Sequence, residues 1–289
     1  MFTPQETKDG SFTFFSSQFG EAFHSVYGAK QEAEYKFVIP TEIRKLAQTK
    51  SKVRLLDICY GLGYNSAAAI EAIWQTNPQC KIELMALEMD AEVPQSAIAH
   101  SLLTSWQEPI PQLLANLANH QQVANNLFNA QLLLGDARNT IQQLIAQSWQ
   151  ADAIFLDPFS PPKCPQLWTV EFVSAVSRAL APTGKLATYS CAAAVRTALS
   201  EAGLRYGSTT SVGRKAPGTI AGWQGDFPPL SQQEREHLQT LAAIPYRDPQ
   251  GNLSSEEIKL IREQEQQSSN LEPSSRWKKR WQKKLSQDP

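Results

Sequence analysis

Acidic residues recur at one kind of place in this sequence, the end of a short apolar run. Asp57 lies in the run at 53–58, Glu88 follows 82–87, Asp136 follows 130–134, and Asp157 closes 151–156. Such apolar runs read as strands buried on both faces. One acid at a strand end is often only the cap of the next helix. Asp57, Glu88 and Asp136 at three successive ends instead outline a ligand edge. Asp157 opens Asp157-Pro158-Phe159-Ser160-Pro161-Pro162-Lys163, where the prolines stiffen the loop and restrict Phe159. A carboxylate beside a fixed ring suits group transfer to an amine. The acid holds the ammonium and helps remove its proton, and the ring stacks on a flat base. The bland alternative is a proline-rich loop with a capping Asp.

The turn after the first strand sharpens the ligand class. Gly61 and Gly63 let the backbone bend tightly and approach a ligand, and a helix over residues 66–74 would aim its N-terminus there. A Gly-x-Gly alone is equally compatible with a purely structural turn. The carboxylate of Asp57 repels a pyrophosphate but suits a cationic or hydroxyl-bearing ligand such as S-adenosylmethionine. Glu88 stands about 20–30 residues past the turn, where nucleoside-binding sheets hold ribose hydroxyls. Asp136, on the same edge, can accept a hydrogen bond from an adenine amino group.

The elements that must position these residues alternate strand and helix, which predicts an α/β fold: a Rossmann-like, doubly wound, mostly parallel sheet. Helices are expected over residues 91–103 and across a glutamine- and asparagine-rich excursion at 106–128. A further strand is expected at 186–190, a helix at 195–202 stopped by Gly203, and a closing β-hairpin arm from 204 to 212. Trp168 and Phe172 read as core. The Gly213-Arg214-Lys215 loop is able to contact phosphate, with solvated surface the equal alternative. Ahead of the sheet, residues 11–16 read as a short hairpin. Residues 19–29 read on composition as a surface hairpin with a packed aromatic face, the other reading being a cover over a polar pocket. Thr41 is a plausible N-cap for a helix at 41–47.

The 289 residues, 42% hydrophobic, suffice for one large α/β core, divided here as a lid segment 1–50, a main domain 51–225 and a helical, basic extension 226–289. The formal charge of -1 hides a basic end, Arg276-Trp277-Lys278-Lys279-Arg280-Trp281-Gln282-Lys283-Lys284. Its two tryptophans at i and i+4 share a helical face, either as an RNA-binding arm or as a solvated amphipathic helix docked on this protein or on a protein partner. Ser254 and Glu257 form a capping-box pattern. No stretch approaches the roughly 20 apolar residues of a membrane span, and no signal-peptide pattern opens the chain, so a cytoplasmic protein is expected. Cys59, Cys80, Cys164 and Cys191 show no paired spacing, which points to reduced thiols and no metal site.

The order of signals, from Phe19-Gly20-Glu21-Ala22-Phe23-His24-Ser25 through Asp57-Ile58-Cys59-Tyr60-Gly61-Leu62-Gly63-Tyr64-Asn65 and Leu156-Asp157-Pro158-Phe159-Ser160-Pro161 to Trp168 and Gly213-Arg214-Lys215, resembles the MnmC-like methyltransferases. The resemblance covers roughly residues 10–225. It implies a class I S-adenosylmethionine-dependent enzyme that methylates the amine of 5-aminomethyl-2-thiouridine at the tRNA wobble position. The length leaves no room for an FAD-dependent oxidoreductase half, so the stand-alone, MnmD-type form is expected. Carried over, the cofactor loop falls on Tyr60, Gly61, Gly63 and Asn65, joined by Asp57. The ribose acid is Glu88, the adenine side is Asp136 with Ala137, and the essential acid and ring are Asp157 and Phe159. Lys163, Arg214 and Lys215 complete the substrate side. The sequence departs from the family at Cys59, where a glycine is usual, and at Asp-Pro-Phe-Ser-Pro, where Asp-Gly-Phe-Ala-Pro is usual. An aminopropyltransferase of the spermidine synthase type and a non-catalytic RNA-binding protein with this fold are the rival readings; the basic tail argues against a polyamine substrate.

Overall fold

Uninterrupted apolar runs demand burial on both faces, and the computed structural model, which describes residues 2–211 and 216–285, places them in the middle of one eight-stranded sheet. Its strands are β1 (Lys52–Ile58), β2 (Lys81–Glu88), β3 (Gln122–Ala124), β4 (Phe128–Leu134), β5 (Ala151–Leu156), β6 (Leu180–Thr188), β7 (Arg205–Ser208) and β8 (Thr219–Gly222). They lie in the order β7-β8-β6-β5-β1-β2-β4-β3. The inner strands β6, β5, β1, β2 and β4 run parallel. Antiparallel β8 and β7 close one edge and β3 the other. The chain winds outward from β1 through β2 and β4, and on the other side from β5 through β6, so the winding reverses between β1 and β5. A crevice opens at the strand carboxyl ends where the connections part in this way.

The period-2 alternation of side chains divides the core. Val53 and Leu55 of β1 and Phe155 of β5 pack on one face, with the Tyr64–Thr76 helix. Leu56, Ile58, Ile154 and Leu156 pack on the other, with Trp168, Val173 and Leu199. Leu55, Leu56 and Ile58 are fully buried, each contributing about 1.5–3 kcal/mol of transfer free energy.

Some local expectations differ. Residues 106–128 are not one helical excursion: the helix is Ile110–His120, and β3 and β4 follow as an antiparallel pair. The Asn125 side chain accepts from the Leu127 and Phe128 backbone N–H groups, a turn that competes with helix. Thr41 does not cap. Its hydroxyl donates back to the Phe37 carbonyl at 2.6 Å at the end of a π-helix, Ala33–Val38, and the next helix, Ile43–Thr49, begins after Glu42 in the left-handed region. The N-terminal segment forms two separate strand pairs, Gln5–Glu6 with Phe12–Thr13 and Phe15–Ser16 with Glu21–Ala22.

The C-terminal segment supplies helices Gln232–His237, Ser255–Ser268 and Ser274–Leu285. The Ser254/Glu257 capping box is present, and Ser231/Glu234 forms a second. Tyr246 and Ile258 enter the main core. The tryptophans of the last helix turn inward: Trp277 stacks on His237 at 4.4 Å, and Trp281 Nε1 donates to Glu236 at 3.0 Å. The basic end is thus an amphipathic helix docked on the protein by its aromatic face. Among the described residues, no helix is long and apolar enough to cross a membrane.

Candidate active site

The site assembles where β1 and β5 end side by side, with the Asp157 N–H bonded to the Ile58 carbonyl at 3.1 Å. Beyond β1 the backbone passes through the left-handed region at Cys59 (φ 65°), Gly61 (φ 57°) and Gly63 (φ 85°). The usual family glycine at position 59 is explained by that conformation, which an L side chain adopts at a cost of about 1–2 kcal/mol. Gly63 is required twice, by its φ and because an added Cβ would lie 2.6 Å from the Tyr60 hydroxyl.

The end of β2 meets this turn. Glu88 Oε2 accepts from the Gly61 N–H at 2.8 Å, and Oε1 accepts from Met89 and Asp90 N–H at 2.8 and 3.0 Å. The carboxylate is thereby fixed in orientation. Burial pushes its pKa up even against these three donors. Register sets Glu88 opposite Leu134, and the Gly135 N–H bonds the Glu88 carbonyl, which brings Asp136 to the same edge. Asp136 caps the Ala137–Ala146 helix and holds Arg138, which also grips Asp248 at 2.8 Å and the Leu253 carbonyl at 2.9 Å. Burial alone would raise the Asp136 carboxyl; the Arg138 guanidinium and N–H outweigh it and hold the group below the usual range.

A cavity of about 750 Å³ opens over these ends, lined by Gly61, Glu88, Asp136, Ala137, Asp157 and Phe159 among others. It is large enough for a nucleoside-sized ligand. Carboxylates on two adjoining strand ends, a glycine on the wall and apolar Leu87, Val93 and Leu167 suit a flat base, ribose hydroxyls and a positive charge.

Four of the expected cofactor residues are not on this surface. Asp57, Tyr60, Gly63 and Asn65 lie behind the wall, all four buried beneath the turn. Asp57 is fully buried, with Oδ2 bonded to the Ser66 hydroxyl at 2.6 Å; burial, with the Glu88 charge adding, pushes its pKa to about 7. Asn65 Nδ2 donates to Asp157 Oδ2 at 2.8 Å. Lys163 is exposed and outside the lining, its Nζ 3.6 Å from where a Cβ on Gly20 would stand. Arg214 and Lys215 lie outside the described residues.

Other lining residues were not singled out for the site by sequence. Phe19 stacks on Phe159 at 4.3 Å and Phe23 meets its edge at 5.0 Å, so the segment at 19–29 covers the cavity instead of lying as a free surface hairpin. Trp168 is core, as its apolar setting implies, yet its Nε1 also donates to the Phe159 carbonyl at 2.8 Å. The Tyr189 hydroxyl holds the Pro158 carbonyl at 2.9 Å. Cys164 lines the cavity too, and burial raises its thiol pKa to about 12.

Comparison with known proteins identifies the family. The family described as S-adenosyl-L-methionine-dependent methyltransferase matches residues 94–224. An uncharacterized protein of Methanocaldococcus jannaschii is 30% identical over 274 residues, 92% of this chain and 72% of that one. The tRNA 5-methylaminomethyl-2-thiouridine biosynthesis bifunctional protein MnmC of Ralstonia nicotianae is 30% identical over 234 residues, 76% of this chain but 34% of that protein, so the chain spans about a third of the MnmC relative's length. The crystal structure of MNMC2 from Aquifex aeolicus matches with a TM-score of 0.81 and 31% identity, over 93% of this chain and 86% of that one. With sequence and fold in agreement, this chain belongs to the MnmC/MnmD-like family of S-adenosyl-L-methionine-dependent methyltransferases.

Proposed function

We propose that the chain methylates the primary amine of 5-aminomethyl-(2-thio)uridine at the wobble position of tRNA. The observation that carries this reading is the pairing of Asp157 with Phe159 on one cavity wall, the first held by Asn65 and the second by Trp168. S-adenosyl-L-methionine supplies an electrophilic methyl group. Glu88 would hold its ribose, Asp136 and Ala137 its adenine side, and Gly61 its close approach, while Asp57, Tyr60, Gly63 and Asn65 shape that wall from behind. Asp157 would orient the acceptor amine in its neutral form and take, or pass to water, the proton the nitrogen sheds on gaining the methyl. Phe159 would stack on the uracil ring, and Lys163, Arg214 and Lys215 would meet phosphates. In this reading residues 1–50 roof the site, 51–225 carry the chemistry and 226–289 brace it. A cytoplasmic address belongs to the same reading, because the acceptor is tRNA.

The test is transfer of labelled methyl from S-adenosyl-L-methionine to tRNA from a strain lacking the final modification step. Wild-type protein is expected to label that tRNA, and Asp157→Ala to abolish labelling with cofactor affinity held within a few-fold. Unchanged labelling by Asp157→Ala, or none by the wild type, would end the assignment.

A further inference from the structure

The loop carrying Asp157 and Phe159 is fixed residue by residue. The Asp157 N–H is bonded to Ile58, the Pro158 carbonyl to Tyr189 and the Phe159 carbonyl to Trp168. All three of these partners belong to the central sheet and its flanking elements. The fourth tie comes from elsewhere. Glu21, on the short Phe15–Ser16/Glu21–Ala22 strand pair, accepts from the Ser160 N–H through Oε2 at 3.0 Å and from the Ser160 hydroxyl through Oε1 at 2.5 Å. The same hairpin lays Phe19 flat on Phe159. Glu21 and Ser160 both line the cavity.

We infer that Glu21 is a positioning residue for methyl transfer: its carboxylate latches the N-terminal hairpin to the Asp157–Ser160 loop and sets the orientation of Phe159 and Asp157 toward the acceptor. The inference deepens the proposed function and rests on it for the identity of the acceptor. The chemistry favours a latch over an incidental contact. One carboxylate takes both donors of a single residue, and hydrogen bonds to a charged acceptor are roughly twice as strong as neutral ones. The hairpin has only two residues per strand, too few to hold itself, so its placement depends on such ties. Proline at 158, 161 and 162 leaves the loop few N–H groups of its own, so the Ser160 N–H is one of its few available anchors.

That scarcity also gives a direct readout. Between 158 and 162 only Phe159 and Ser160 carry an amide hydrogen. In Glu21→Ala, exchange of the Ser160 amide should accelerate by about tenfold or more. The kcat for methyl transfer should fall by about tenfold, with S-adenosyl-L-methionine affinity unchanged. Glu21→Gln retains an amide oxygen and should recover part of both effects. Ser160→Ala, which keeps the N–H bond and loses the hydroxyl, should show a smaller loss of kcat. The exchange arm needs no acceptor, so it decides the latch even if the amine proved to be a different one. Unaltered exchange at Ser160 in Glu21→Ala overturns the latch. Faster exchange with wild-type kcat overturns the positioning role.

Discussion

Asn65 Nδ2 donates to Asp157 Oδ2 across 2.8 Å, and this bond joins the first turn of the Tyr64–Thr76 helix to the end of β5. The glycine turn and the acid loop are therefore one mechanical unit. Any shift of that turn is transmitted to the Asp157 carboxylate, which in the proposed reaction receives the amine.

Replacing Asn65 should separate these functions. Asn65→Ala removes a donor to a charged group, worth about 1.5–3 kcal/mol, and should slow single-turnover methyl transfer by about ten- to a hundredfold. Cofactor affinity should change by no more than a few-fold. Asn65→Asp places a carboxylate against Asp157 and should move the lower limb of the pH–rate profile upward. A profile identical to wild type would show that the bond does not matter.

Cys59 at φ 65° predicts an asymmetry between substitutions. Cys59→Gly should be neutral to stabilising, by up to about 1 kcal/mol, because the relief of left-handed strain offsets the packing lost. A β-branched side chain is far worse in that conformation, so Cys59→Val should cost about 2 kcal/mol. Urea denaturation of the two variants compares them directly, and equal destabilisation would contradict the strain argument.

Asp57 gives a pH dependence whose sign is fixed. Its folded pKa, about 7, lies above the ordinary 3.8, so between those values the folded protein holds a proton that the unfolded chain has released. Stability contributed by this group is therefore present at low pH and lost as pH rises through about 7. Asp57→Asn, permanently neutral, should match wild type near pH 4 and exceed it at pH 8 by about 1–4 kcal/mol. Parallel unfolding curves at both pH values would refute this.

The terminal helix should come loose when its stack is removed. Trp277 is 5% exposed and lies on His237, so Trp277→Ala should raise the rate of tryptic cleavage near Lys278 and Lys279 by about tenfold or more. Burial, with the charges of Lys278 and Arg196, holds the His237 pKa below 6.5. With the terminal helix undocked, His237 on the Gln232–His237 helix takes the proton more readily, so docking should weaken as pH falls below that value. Cleavage rates independent of both changes would mean the helix is held elsewhere.

Much of the architecture was legible in the sequence because it follows from short-range patterns. The apolar runs ending in Asp57, Glu88, Asp136 and Asp157 announce parallel strands, and Ser254 with Glu257 announces a helix start, since burial on two faces and capping each impose a local residue order. The 106–128 segment misled because its glutamines and asparagines carry no period, while one Asn125 side chain bonding two N–H groups was enough to turn it. The sequence by itself determined that acids gather at strand ends beside a glycine turn. Only the tertiary structure decided which of them face the cavity. That choice depends on which side of a folded turn each side chain lies, and it sends Asp57 and Asn65 behind the wall while Glu88 and Asp157 stay on it. It likewise decided that Glu21 meets Ser160, 139 positions along the chain, because β1 and β5 are neighbours and the hairpin lies over their ends. Contacts of that span leave no spacing in the sequence, since what joins them is the winding of the sheet.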